Sequence, residues 1–273
     1  MRDFLIVMGV ILLSKSLYFE TFGGNYLLIG FFFFLAIIII PNIKNFKIDR
    51  VILLYSLSLL ALILLNAETN NNQLIVLFVR LIIGIFIIHL ISFETFSRVF
   101  IRVMLVLSIF SWFAMFIIYY NINTPLPPFT SLHYIEDVQG RILRNFIFFG
   151  VDETFFTYDI FRASSLWWEP GAFQIFVNLA FAFSLINNTI TKRTYTIFLI
   201  TILASLSTTG VVVFGLLSII FFKKYFTLNN PILFLVPILV IFIGIFIVAP
   251  EIYQKMISES FKSRYHDILI SIN

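Results

Sequence analysis

Cysteine is absent from the 273 residues, and only three histidines are present. The chain therefore has no disulfide framework, no thiolate nucleophile and no cysteine metal ligand. His89, His133 and His266 are too scattered for a histidine metal centre. Charge is scarce as well. Asp, Glu, Lys and Arg make up 12% of the chain, against ~25% in soluble domains. So little charge cannot cover a soluble globule of this size, which excludes an ordinary cytosolic enzyme, a disordered chain and a DNA-binding domain. Familiar signatures are missing too: no Walker A sequence, no Asp-x-Asp pair, no HExxH, GxSxG or GxGxxG. Their absence argues against chemistry powered by cytoplasmic nucleotide. The expected reaction faces outward, uses an already activated substrate, and takes neither metal nor cofactor; no nucleic-acid partner is expected.

What is present is apolar. Hydrophobic residues make up 60% of the chain, and runs such as 31–40 have no polar face. A transmembrane helix needs ~20 apolar residues. The expected fold is all-α, a single integral membrane domain over 1–273. Nine spans fall near 4–19, 26–42, 51–66, 74–92, 100–120, 170–187, 194–206, 210–223 and 231–249. The apolar pattern resumes at Asp267 and stops at Asn273, so a tenth span and a longer chain are expected. No small-residue cleavage site follows the first span, which reads as a retained helix.

Basic residues set the orientation. Arg2, Lys44, Lys47, Arg50, Arg98, Arg102, Lys192, Arg193, Lys223 and Lys224 fall on one side, which places the N-terminus in the cytoplasm. The stretch from Thr194 to Phe222 is bracketed by two of these basic pairs. Two short passes keep both pairs inside, each of ~13 residues or ~20 Å. Ser207-Thr208-Thr209-Gly210 is then the tip of a helical hairpin.

Residues 121–169 interrupt the spans as a long external loop rich in aromatics, and loops of such length are commonly functional. Residues 142–149 read as a short amphipathic helix on the membrane surface. In that form Arg141 and Arg144 share a face and suit bidentate phosphate contacts. The bland alternative is solvated charge balancing Glu136, Asp137, Asp152, Glu153 and Asp159. At the end of the loop stand Arg162, then Trp167-Trp168-Glu169-Pro170-Gly171. Plain interfacial roles account for much of this: belt aromatics, proline in the first helical turn, a carboxylate at the helix N-terminus. They leave Arg162, beside a carboxylate at the bundle mouth, unexplained. Ser207, Thr208 and Thr209 fit either a helix cap or an anion site. Arg264 and His266 suit a second phosphate clamp and a base, or plain interfacial positions. Arg80 lies within a span and can snorkel outward. Lys15 and His89 are weaker candidates.

An external Arg, Trp-Glu-Pro-Gly opening a span, a Lys-Arg internal turn, and Leu-Ser-Thr-Thr-Gly one span later form an ordered set. Arg162 to Gly210 resembles the O-antigen polymerase and O-antigen ligase family of bacterial envelope enzymes, within a likeness covering roughly residues 50–270. The resemblance implies a metal-independent membrane glycosyltransferase of the GT-C kind. Such an enzyme takes glycan from undecaprenyl diphosphate on the outer face of the inner membrane. It implies that Arg162 contacts the diphosphate, that Glu169 lies in the catalytic pocket, and that Arg264 is the arginine of the later external loop. Glu169 or His266 would be the base, and Trp167 and Trp168 would face sugar or prenyl chain. Ligases tend to carry Arg after the Ser of the hydroxyl-rich turn. Thr208 stands there, which favours polymerisation. Flippase and chain-length regulator proteins are the implied partners, with membrane lipid. Two alternatives stay open: ligation to lipid A core, and transport of lipid-linked glycan. Transport predicts internal repeats and midplane charge, and neither is visible.

Overall fold

The structure, a computed structural model, describes residues 1–14, 24–39, 71–123, 133–136, 142–146, 149–152, 162–167 and 170–225, with Leu54, Leu57, Ser58, Ala61 and Phe242. Helices account for 87% of these residues. In chain order the helices are α1 (Arg2–Leu13), α2 (Gly24–Ile39), α3 (Asn71–Leu90), α4 (Phe93–Asn123), α5 (Pro170–Ile186), α6 (Lys192–Ser205) and α7 (Thr208–Tyr225). Between α4 and α5 lie strands β1 (His133–Glu136), β2 (Ile142–Phe146), β3 (Phe149–Asp152) and β4 (Arg162–Ser165). Among the described residues one helix, over Phe93–Ile118, is long and apolar enough to cross a membrane. Leu28–Ile39, Phe78–Leu90, Pro170–Ile186 and Thr208–Lys223 are shorter apolar stretches. The expected spans at 51–66 and 231–249 fall largely outside the described residues.

The chain divides into two compact units, Met1–Phe100 and Ile101–Asn273. In the first, Ile6, Leu28, Leu35, Ile83 and Ile91 form the core, with Phe31, Phe32 and Phe86 packed around it. Phe32 stacks on Phe86 at 5.8 Å. The Phe31 ring of α2 packs directly over Gly9 of α1, where any Cβ would collide with it. The other face of α2 is apolar yet exposed: Tyr26, Ile29, Phe33 and Ile37 recur at three- and four-residue spacing. A helix apolar on both faces belongs in a large core or in lipid. Arg80 is half-buried on α3. His89 donates from Nδ1 to the Ile85 carbonyl (2.9 Å) one turn back, as an ordinary helical side chain does.

The second unit is built on α5, α6 and α7. Phe181 is fully buried at its centre. It stacks on Phe214 (4.6 Å) and meets Tyr195 edge-on (5.7 Å). Tyr195 in turn stacks on Phe221 at 4.8 Å and donates to Ser218 Oγ (3.3 Å). Rings thus link all three helices with little polar demand. On α4, Trp112 Nε1 donates to Thr201 Oγ1 of α6 (3.1 Å), and Thr201 donates on to the Ile197 carbonyl (2.7 Å). The opposite face of α4 exposes Val106, Phe110, Phe113 and Phe116.

The break expected between two short helices is present. α6 starts behind Thr191, whose hydroxyl accepts from Thr194 N (3.2 Å), and it ends at Leu206 in the left-handed region (φ 45°). α7 begins two residues later at Thr208.

The long loop is the main correction, and it makes the protein mostly helical rather than all-α. Instead of an amphipathic helix over 142–149, the chain forms an antiparallel sheet in the order β1-β2-β3-β4. The register sets Glu136 against Ile142, Phe146 against Phe149, and Asp152 against Arg162. Two physical reasons favour strands. Ile142, Phe146, Phe149 and Val151 are β-branched or aromatic, and glycines at 140 and 150 disfavour a continuous helix. Flanking segments then supply pairing partners on both sides of β2, which a sheet needs. Arg144 therefore lies in β2, opposite Tyr134 and Val151, and not on a helix face shared with Arg141. Arg141 lies outside the described residues.

Candidate functional site

Arg162 is the first residue of β4 and is partly buried. Its register partner on β3 is Asp152. Ala163, Ser164 and Ser165 follow, each fully buried. β4 packs against both α5 and α6.

The strand ends in a turn. Trp167 N donates to the Ser164 carbonyl (3.1 Å), and Ser165 adopts φ 55°. A left-handed serine costs about 1–2 kcal/mol, and such strain clusters at functional positions. Trp167 has no exposed surface. Its indole stacks on Phe176 (4.6 Å) and Phe173 (5.6 Å) of α5. That anchors the end of β4 to α5 and leaves this indole no free face for a sugar ring. Pro170 then opens α5 at the first helical position, where its missing N–H removes no bond.

Two amides lie one and two turns into α5. Gln174 and Asn178 are each 5% exposed. Asn178 Nδ2 donates to Gln174 Oε1 (2.9 Å) and to the Gly210 carbonyl of α7 (3.1 Å). With both amide hydrogens used, the orientation of Asn178 is fixed by its acceptors. The helices are close here, since a Cβ on Gly210 would fall 2.9 Å from Gln174 Cβ. Gly210→Ala is accordingly expected to destabilise the protein by about 1–3 kcal/mol through overpacking. Unfolding of the purified full chain in detergent measures it.

The start of α7 therefore sits against the first turns of α5, on which β4 also packs. β4, through Trp167, and the Ser207–Gly210 turn, through Gly210, thus both pack on α5. Ser207 and Thr208 are partly exposed and Thr209 is exposed. The Ser207 carbonyl accepts from Val211 N (3.0 Å) as the first bond of α7. Trp168, Glu169, Arg264 and His266 lie outside the described residues. Arg80 belongs to the other unit. Ser164, Ser165, Gln174 and Asn178 were not singled out as site residues from the sequence. Gln174 and Asn178 did carry a signal there: polar residues four apart in an apolar helix share a face.

No protein-family model, curated protein or solved structure matches the chain. Within the described residues it is a mostly helical protein with a membrane-length helix and a small sheet packed on a helical hairpin.

Proposed function

We propose that the chain is a polytopic glycosyltransferase of a bacterial inner membrane, with a cytoplasmic N-terminus. It would polymerise undecaprenyl-diphosphate-linked oligosaccharide repeat units on the outer face. One observation supports this reading above the others. The hydrogen bond from Asn178 to the Gly210 carbonyl (3.1 Å) sets the hydroxyl-rich turn against α5, the helix that the Trp-Glu-Pro-Gly sequence opens.

The reaction in this reading is a displacement at the donor sugar. The acceptor hydroxyl oxygen attacks the anomeric carbon of the donor sugar. The carbon–oxygen bond to phosphate breaks, and the prenyl diphosphate leaves with the bonding electrons. Arg162 stabilises the charge that develops there. The acceptor proton passes to a base, for which Glu169 or His266 is the candidate. Apolar exposed helix faces, such as Phe110, Phe113 and Phe116 on α4, suit contact with lipid and a site that opens sideways to a prenyl-linked substrate.

Deleting the gene tests the reaction and its competitor together. Lipid-linked repeat units should accumulate outside the membrane, because flipping continues while polymerisation stops. Accumulation on the inside would make the chain a flippase and remove the transferase assignment.

A further inference from the structure

We propose that Ser164 and Ser165 form the hydroxyl half of a phosphoryl-binding subsite completed by Arg162. This deepens the glycosyltransferase reading and rests on it for the source of the phosphoryl group, the lipid diphosphate donor. Three observations carry it. Both serines are fully buried, and neither Oγ has a hydrogen-bond partner among the described residues. A buried hydroxyl without a partner is costly and calls for explanation. The second is the backbone: Ser165 is held in the left-handed region, where serine is disfavoured. The third is placement. Residues two apart on a strand share a face, so Ser164 lies on the Arg162 side of β4, while the left-handed backbone of Ser165 at the strand end breaks the alternation that would set it on the opposite face.

Other buried serines of this unit show what a structural hydroxyl does here. Ser184, Ser205 and Ser218 donate to carbonyls three or four residues back, at 2.7, 2.8 and 2.7 Å. Ser108 and Ser111 on α4 also lack partners, but a helical serine needs only a χ1 rotation to reach such a carbonyl. A strand serine has no carbonyl of that kind within reach. The hydroxyls of Ser164 and Ser165 are therefore desolvated in advance. A permanently cationic arginine on the same strand selects an oxyanion as their ligand. A tetrahedral phosphoryl group offers acceptor oxygens to all three side chains.

The test uses the full chain in lipid nanodiscs, with farnesyl diphosphate, inorganic pyrophosphate and farnesol as probes. Ser164→Ala and Ser165→Ala should each weaken farnesyl diphosphate binding by about tenfold and leave farnesol unaffected. Neither should lower the melting temperature of the ligand-free protein, because alanine removes an unsatisfied polar atom. Serine dependence shared by both diphosphates assigns the contact to the headgroup of the lipid. Dependence with pyrophosphate alone assigns a site for free phosphate. Unchanged affinity in both variants overturns the subsite, and so does a lower ligand-free melting temperature, which would reveal an internal partner. The two readings fail separately. Variants that bind normally in membranes that still elongate glycan remove the subsite alone. Serine-dependent binding in membranes that never elongate glycan removes the reaction alone.

Discussion

Arg162→Ala membranes should elongate lipid-linked glycan about 10²–10³-fold more slowly than wild type at matched expression, the effect of removing one preorganised donor from a developing oxyanion. The position of Arg162 explains why the loss should be large. It opens β4, and β4 is held by α5 and α6 and tied down by the stacked Trp167. A side chain on such a support loses little freedom on binding, which is what preorganisation requires. Arg162→Lys should recover only part of the rate. Lysine keeps the charge but not the planar fork that grips two phosphoryl oxygens at once. If Glu169 rather than His266 is the base, Glu169→Gln should lose elongation by a different route and leave diphosphate binding in place. Comparing prenyl diphosphate affinity in the two variants separates the roles. Full-length polymer from Arg162→Ala at normal protein levels would end the assignment of this arginine.

Much of the helical framework was legible from apolar runs. The pairs Lys192-Arg193 and Lys223-Lys224 bracket a stretch expected to fold back on itself, and hydroxyl residues with Gly210 mark the break; α6 and α7 show that break. The sheet was not legible, because residues 142–149 alternate poorly and could serve as a helix or a strand. Only pairing with His133–Glu136 and Phe149–Asp152 decides the matter, and strand partners are a tertiary fact. Within the candidate site, Arg162 and Pro170 stood out through residue type and order. Ser164 and Ser165 did not, since serine is common in loops and its burial depends on what folds over it. The indole of Trp167 reads as an interfacial aromatic, and only the packed structure turns it inward against Phe173 and Phe176.

Trp167→Ala should have the largest effect on stability, about 3–5 kcal/mol for a buried aromatic replaced by alanine. The indole has no exposed surface, so its removal leaves a cavity between β4 and α5. Two ring stacks go with it, each contributing ~0.5–1.5 kcal/mol. In a bilayer the balance of these terms matters. Lipid chains are as apolar as leucine, so helix packing there depends on van der Waals contact more than on exclusion of water, and contact is what the cavity removes. Trp167→Phe should recover part of the stability, because a smaller ring can still stack on Phe176. Functional loss should run ahead of unfolding. The Trp167 amide closes the turn that holds Ser165 at φ 55°, and the indole is what presses that turn onto α5. Trp167→Ala protein that remains folded should therefore bind farnesyl diphosphate more weakly, as the serine variants do. Its melting temperature should fall, as theirs should not. Unfolding in mixed micelles, read beside diphosphate affinity on the same samples, distinguishes the two. Normal affinity in folded Trp167→Ala protein would mean that the indole supports only the packing of α5 and does not position the strand end.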